Sequence, residues 1–263
     1  MTCYAEQLGD CRGQLSREHY ISRSVLETAG NGLRVSGFPW QAPNESMNIG
    51  SGSLVSRALC QRHNSCLSPL DTAGKSLLQA LKSIFNDAIE DREFNDEEIC
   101  LEGDKIELWL LKILCGLCAT SNSIEIPSKW LNVLFEQEPF ADNHGLYIFG
   151  QAGGGAAWYF NLVRVISVLN NEGRIAGAKF GVGGLSLLLA FGEPKFEDEK
   201  FNSIYRPESI LVKKGGATKT LKFSSGNYIG RGSLELHVDG VVDGPSSEYV
   251  PMVGPYRNNE LGS

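Results

Sequence analysis

The sequence predicts an α+β protein in two parts. A small cysteine-bearing module spans residues 1–72, and a larger domain over residues 73–263 packs helices on an antiparallel sheet. Three observations carry this. Cys3, Cys11, Cys60, His63 and Cys66 bracket a loop-rich first stretch. Apolar residues then recur at helical spacing through two long segments. From Gly145 onward the pattern changes to short β-like runs parted by Gly, Asn and charged turns.

Taken in order, residues 1–17 read as loop, with Gly9-Asp10 and Arg12-Gly13 as turn signals. Residues 18–26 read as an extended segment passing into a helix, and residues 29–53, rich in Gly, Pro, Asn and Ser, as a long loop. A strand is expected over 53–59 and a short helix over 61–67, ended by Ser68-Pro69 because proline disfavours helix in the residue before it. Asp71 caps a helix over 73–90, where Leu77, Leu78, Leu81, Ile84, Phe85 and Ala88 share one face. The acidic run 87–98 reads as a solvated loop. Asp104 caps a helix over 105–119 that is apolar nearly all round and therefore central. A short helix over 128–135 follows, then the runs LYIFG, VRVISVLNN, GAKFGV, LSLLLAFG, SILVKK, TKTLKFS and LELHV as strands. Asn171-Glu172-Gly173 is expected to turn a hairpin, Gly150 to Gly155 to form a flexible loop, and the acidic run 193–199 to be solvated.

Bulk properties narrow the function classes. A chain of 263 residues, 42% hydrophobic and 21% charged, has ordinary globular usage. Its longest apolar run, Val182 to Phe191, falls well short of the ~20 residues of a membrane span. The start MTCYAEQLGDCRGQ lacks a basic stretch followed by an apolar one, so a cytoplasmic protein without a signal peptide or membrane association is expected. The net charge of −7 belongs to the second part: residues 1–72 hold six Arg, no Lys and six acids. That acidity argues against a broad non-specific DNA coat. Seven cysteines, an odd number, argue against a disulfide framework and for metal binding or burial.

Two segments carry chemistry. One is Cys3…Cys11 followed by Ser16-Arg17-Glu18-His19-Tyr20-Ile21-Ser22-Arg23-Ser24; the other is Leu59-Cys60-Gln61-Arg62-His63-Asn64-Ser65. Cys60 and His63 have the tight spacing of a zinc knuckle, whereas Cys3 and Cys11 have seven residues between them. A module this small has little core and needs a staple, which a metal supplies. Together the segments resemble the HNH (His-Me finger) endonuclease pattern, over about a quarter of the chain. The resemblance implies a ββα-metal module with a structural Zn²⁺ held by Cys3, Cys11, Cys60 and His63, with Cys66 as the alternative to Cys3. It implies His19 as general base, with Asn64 and Glu18 as ligands of a catalytic Mg²⁺ or Mn²⁺, hard oxygen donors suiting such ions. Glu18 and His19 would point opposite ways on a regular strand and can share a site only where the strand ends or bends. Two positions depart from the family. Ser22 stands where it has proline, and Ser53, with Asn48 further upstream, stands near the place of its middle Asn.

The resemblance therefore implies a metal-dependent endonuclease acting on DNA, with RNA as a further substrate class, in bacterial defence or mobile-element settings. Its alternative is an inactive zinc module in a nucleic-acid- or protein-binding sensor. The second part is left for target choice, a protein partner or a homodimer surface. Other motifs carry less. Cys115-Gly116-Leu117-Cys118 lies inside an apolar helix and reads as core. Asp71-Thr72-Ala73-Gly74-Lys75-Ser76 lacks the first glycine of a phosphate loop, Pro69 standing there.

Overall fold

The computed structural model describes residues 2–29, 33–36, 45–50, 52–89, 93–120, 125–151, 162–169, 175–182, 185–192, 201–226, 228–237 and 257–258. Within these the chain is α+β. Strand β1 (Leu15–His19) pairs antiparallel with β4 (Val55–Cys60), and α2 (Gln61–Cys66) follows directly. Helix α1 (Arg23–Ala29) comes after β1. Ser22 caps it: the Val25 N–H donates to Ser22 Oγ at 3.3 Å.

Helix α3 runs from Ser68 to Ile89, earlier than the expected start at 73. Pro69 does not end α2 at a distance; it sits in the first turn of α3, where its missing N–H would be unpaired in any case. The helix thus crosses position 72, and the buried residues of the first 72 positions join those beyond in one hydrophobic cluster. The would-be phosphate-loop residues 71–76 lie inside this helix.

Helix α4 (Gly103–Thr120) is buried from Ile106 to Cys118, which meets the expectation of a central helix. Gly74 lets α3 approach it, because a Cβ there would overlap the Trp109 indole. Cys115 and Cys118 are fully buried and burial pushes both thiols up, Cys118 to about 12, so this pair is core. Two charged residues of α4 are also buried, and each is a tie. Glu107 accepts from Arg206 Nε and Nη2, both at 2.9 Å, and from the Leu146 N–H at 2.7 Å. Lys112 reaches back to the first part, donating to Asp71 Oδ1 at 2.7 Å. Helix α5 (Ser128–Leu134) packs on α4, with Trp130, Leu131, Val133 and Leu134 buried.

Two further sheets form, chiefly from the second part, but the larger takes two of its strands from residues 29–53, which the sequence reads as a long loop. The larger has the order β10 (Phe201–Tyr205), β6 (His144–Gln151), β9 (Leu185–Phe191), β8 (Ile175–Val182), β7 (Leu162–Leu169), β2 (Leu33–Ser36), β3 (Ser46–Ile49), with β14 (Arg257–Asn258) also on β7. The smaller has the order β13 (Ser233–His237), β11 (Ser209–Lys214), β12 (Ala217–Ser224), β5 (Glu97–Glu102). Pairing is mainly antiparallel, but β2–β7, β11–β13 and β12–β5 are parallel.

The seven expected strands are present. Strands β2, β3, β5, β10 and β14 in these two sheets are additional to them. β5 begins in the last two residues of the acidic run read as loop: Glu97 and Glu98 ion-pair with Lys219 and Lys222 of β12, so a neighbouring strand supplies the counter-charge. The expected turn at 171–173, most of the glycine-rich stretch 150–155 and the acidic run 193–199 lie outside the described residues.

Candidate functional site

The first part brings Cys3, Cys11, Cys60 and His63 together. Their ligand atoms all lie within 4.8 Å of one another, the one such group of three or more His, Cys, Asp or Glu among the described residues. His63 Nδ1 is 3.4 Å from Cys3 Sγ, 3.6 Å from Cys11 Sγ and 3.3 Å from Cys60 Sγ. A tetrahedral zinc with bonds near 2.3 Å to sulfur and near 2.0 Å to nitrogen has S···N edges of about 3.5 Å, so the donor set has the dimensions of such an ion.

Local folding explains how so wide a cysteine spacing works. Glu6–Leu8 forms a 3-10 turn, and Gly9 closes it in the left-handed region, φ 80, donating to Glu6 O. The seven residues between Cys3 and Cys11 are thereby folded into a compact loop. The Tyr4 N–H donates to Ala58 O and the Cys60 N–H to Cys3 Sγ, which fastens this loop to β4. Cys66 is not part of the cluster. It is exposed, and Arg62 Nη1 donates to its sulfur at 2.7 Å. Of the two alternatives the sequence left open, Cys3 is the one that converges.

The remaining ring nitrogen of His63 shows a feature the sequence did not announce. Nε2 lies 2.6 Å from Asp10 Oδ1, and Arg62 holds the other oxygen of Asp10 at 2.6 Å. This carboxylate–histidine pair fixes Nε2 as the protonated nitrogen and leaves the Nδ1 lone pair for a metal. Partial desolvation opposes ionisation of Asp10, but the His63 hydrogen bond and Arg62 hold its carboxyl below the usual range. His63 is 1% exposed, and Phe135 meets its ring edge-on.

The three thiols are electrostatically coupled. Burial opposes the Cys60 thiolate, yet the amides of His63 and Arg12 bring its pKa down to about 7. Desolvation and the two neighbouring sulfurs push Cys11 up to about 12, and burial raises Cys3. Three such groups ionise together only around a cation.

A second polar group lies toward the other end of the same ribbon, where Glu18 faces Ser56 and His19 faces Val55. Glu18 is 3% exposed, and its Oε1 stands 3.6 Å from Lys112 Nζ with no hydrogen-bond partner. Burial pushes Glu18 up to about 7, with Lys112 opposing the rise and Asp71 adding to it. His19 closes β1, and its Nε2 is buried without a partner. Burial lowers its pKa, Arg23 and Arg17 lower it further, and Asp71 acts the other way. The register of β1 shifts between Ser16 and Glu18, and the strand ends at His19. Glu18 and His19 consequently feel the same pair of charges, Asp71 and Lys112, despite standing next to each other on a strand.

Asn64 is half-buried on α2, one residue after His63. Ser53 is half-buried, its N–H donating to Gly50 O, and Asn48 is exposed on β3. Asp71 and Lys112 are the residues sequence reading missed here. Asp71 reads as a helix cap, and Lys112 is a single charge in an apolar helix whose meaning depends on what it meets.

No family model matches the chain, and no curated protein or solved structure gives a match. Among the described residues no helix is long and apolar enough to cross a membrane.

Proposed function

We propose that residues 1–72 form a zinc-stapled HNH-like module that hydrolyses DNA phosphodiester bonds, with His19 as the general base. The observation that carries the reading is the Cys3/Cys11/Cys60/His63 cluster at one end of a β1–β4–α2 unit. Within that unit His19 ends the first strand and Asn64 directly follows the last ligand. The donor chemistry suits zinc: three soft sulfurs, an imidazole and an acidic partner on that imidazole. Bound there, zinc supplies folding energy and takes no part in the reaction.

Chemistry falls to the His19 side. A base must be unprotonated at working pH, and the burial that lowers the His19 pKa favours this. His19 would take the proton from the attacking water. A hard divalent ion, Mg²⁺ or Mn²⁺, supplies Lewis acidity at the phosphate when bound. Asn64 and Glu18 would hold it, but the fit is partial. Glu18 is buried against an ammonium, which already balances the charge a metal would need. That observation favours a second reading, a zinc module that binds nucleic acid or protein without cutting. In either reading the acidic second part serves target choice, a protein partner or a second copy of the chain.

The deciding experiment incubates wild type and His19→Ala with plasmid, linear duplex, single-stranded DNA and RNA, each with and without Mg²⁺ or Mn²⁺. Metal-dependent cutting that His19→Ala abolishes, with zinc content and folding retained, supports the hydrolase. Binding without cutting by wild type supports the second reading.

A further inference from the structure

The formal charge balance of the first 72 residues dissolves once they are folded. Four of the acids are engaged: Asp10 by His63 and Arg62, Glu27 by Arg23, and Glu18 and Asp71 by Lys112. Arg12, Arg17 and Arg57 are exposed, and no carboxylate among the described residues pairs with them. Their placement is ordered. Glu18 lies opposite Ser56 across the ribbon, and Glu18 faces the interior. Arg17 and Arg57, the residues next to these two, are exposed where the register of the ribbon shifts. His19 lies opposite Val55, so Arg57 stands two positions along the partner strand and Arg17 two positions back along its own, close enough for its charge to act on the His19 ring. Arg12 continues the row at the far end, where Leu15 lies opposite Cys60 and the Arg62 N–H donates to Arg12 O.

We infer that Arg17 and Arg57, extended by Arg12, form the surface on which this module grips the sugar–phosphate backbone of a nucleic acid beside His19. Guanidinium groups have the fork geometry that phosphate oxygens accept in pairs. Two like charges placed side by side on a two-stranded ribbon destabilise it unless a counter-charge arrives, and a polyphosphate backbone supplies one. The occupant is therefore a nucleic acid, engaged through its backbone rather than its base edges. The inference deepens the reading above and rests on it for the role of His19, although the grip itself does not require cutting.

The test measures binding separately from cleavage. Fluorescence anisotropy is recorded with labelled duplex DNA, single-stranded DNA and RNA across a salt series. The protein is zinc-loaded, with no added Mg²⁺ or Mn²⁺ and no chelator. Wild type should bind at least one of these. Arg17→Ala/Arg57→Ala should bind it about tenfold or more weakly, with the slope of log K against log salt reduced by about 2. Lys222→Ala, on β12, should bind like wild type, and zinc content with circular dichroism should show the double variant folded. The inference is overturned if wild type binds none of the three at low salt, or if the double variant binds with unchanged affinity and slope. Binding that needs Arg17 and Arg57 in a protein that cuts nothing upholds this surface while refuting the hydrolase. Cutting and binding that are indifferent to both arginines do the reverse.

Discussion

Glu18→Gln isolates one buried ionisation with almost no change of shape. In the folded protein burial moves the Glu18 carboxyl from its ordinary 4.5 to about 7, with Lys112 only partly offsetting this. The sign follows from linkage. Above pH 4.5 the unfolded chain sheds the proton while the folded chain keeps it until about pH 7. The stability contribution of this proton is full below 4.5 and is lost as pH rises toward 7. At about 1.4 kcal/mol for each pH unit of that gap, the loss by pH 8 is about 3 kcal/mol. Glutamine carries no such proton. Urea unfolding of zinc-loaded wild type and variant at several pH values between 4.5 and 8 should show the variant gaining on wild type by about 3 kcal/mol over that range. Taking the difference removes whatever the thiols and His63 contribute in common. A difference that stays flat would mean that Lys112 keeps Glu18 ionised throughout, and the account of this buried pair would fail. The outcome also bears on function, because only an ionised Glu18 can serve as a metal ligand.

Three further outcomes follow from the same geometry. Asp10→Asn should weaken metal affinity about 10–100-fold, read by competition with a chromophoric chelator, because it removes the charge on the imidazole partner; unchanged affinity would remove Asp10 from the site. Cys60→Ala should lower the zinc content from about one per chain and reduce the Tm, whereas Cys66→Ala should leave both in place; a metal-free wild type indifferent to chelators would refute the staple. Gly74→Ala should cost about 1–3 kcal/mol in thermal unfolding, since the new methyl must displace the Trp109 ring; a neutral result would show that α3 and α4 can part freely.

What the sequence alone determined is what depends on local pattern. Helical spacing marked α3, α4 and α5, and α4 was placed centrally because no face of it is polar. Alternation and turn residues marked seven strands. Cys60 and His63 were legible as a ligand pair because three-residue spacing on one turn is itself a chelate geometry, whereas the reading of His19 rested on Glu18 beside it and on Asn64 after the knuckle. The tertiary structure decided everything that depends on which distant residues meet. It selected Cys3 over Cys66, since the 3-10 turn at Glu6–Leu8 folds Cys3 onto β4 while Cys66 faces away with Arg62. It turned Asp71 and Lys112, 41 positions apart, into the charged surroundings of Glu18 and His19. It made a strand of the acidic stretch at Glu97, because lysines more than a hundred residues away lie alongside. It also converted a module with equal numbers of arginines and acids into one with a basic outer ribbon. Net charge is a sum over the sequence, but its sign at a surface depends on which charges the fold has already paired.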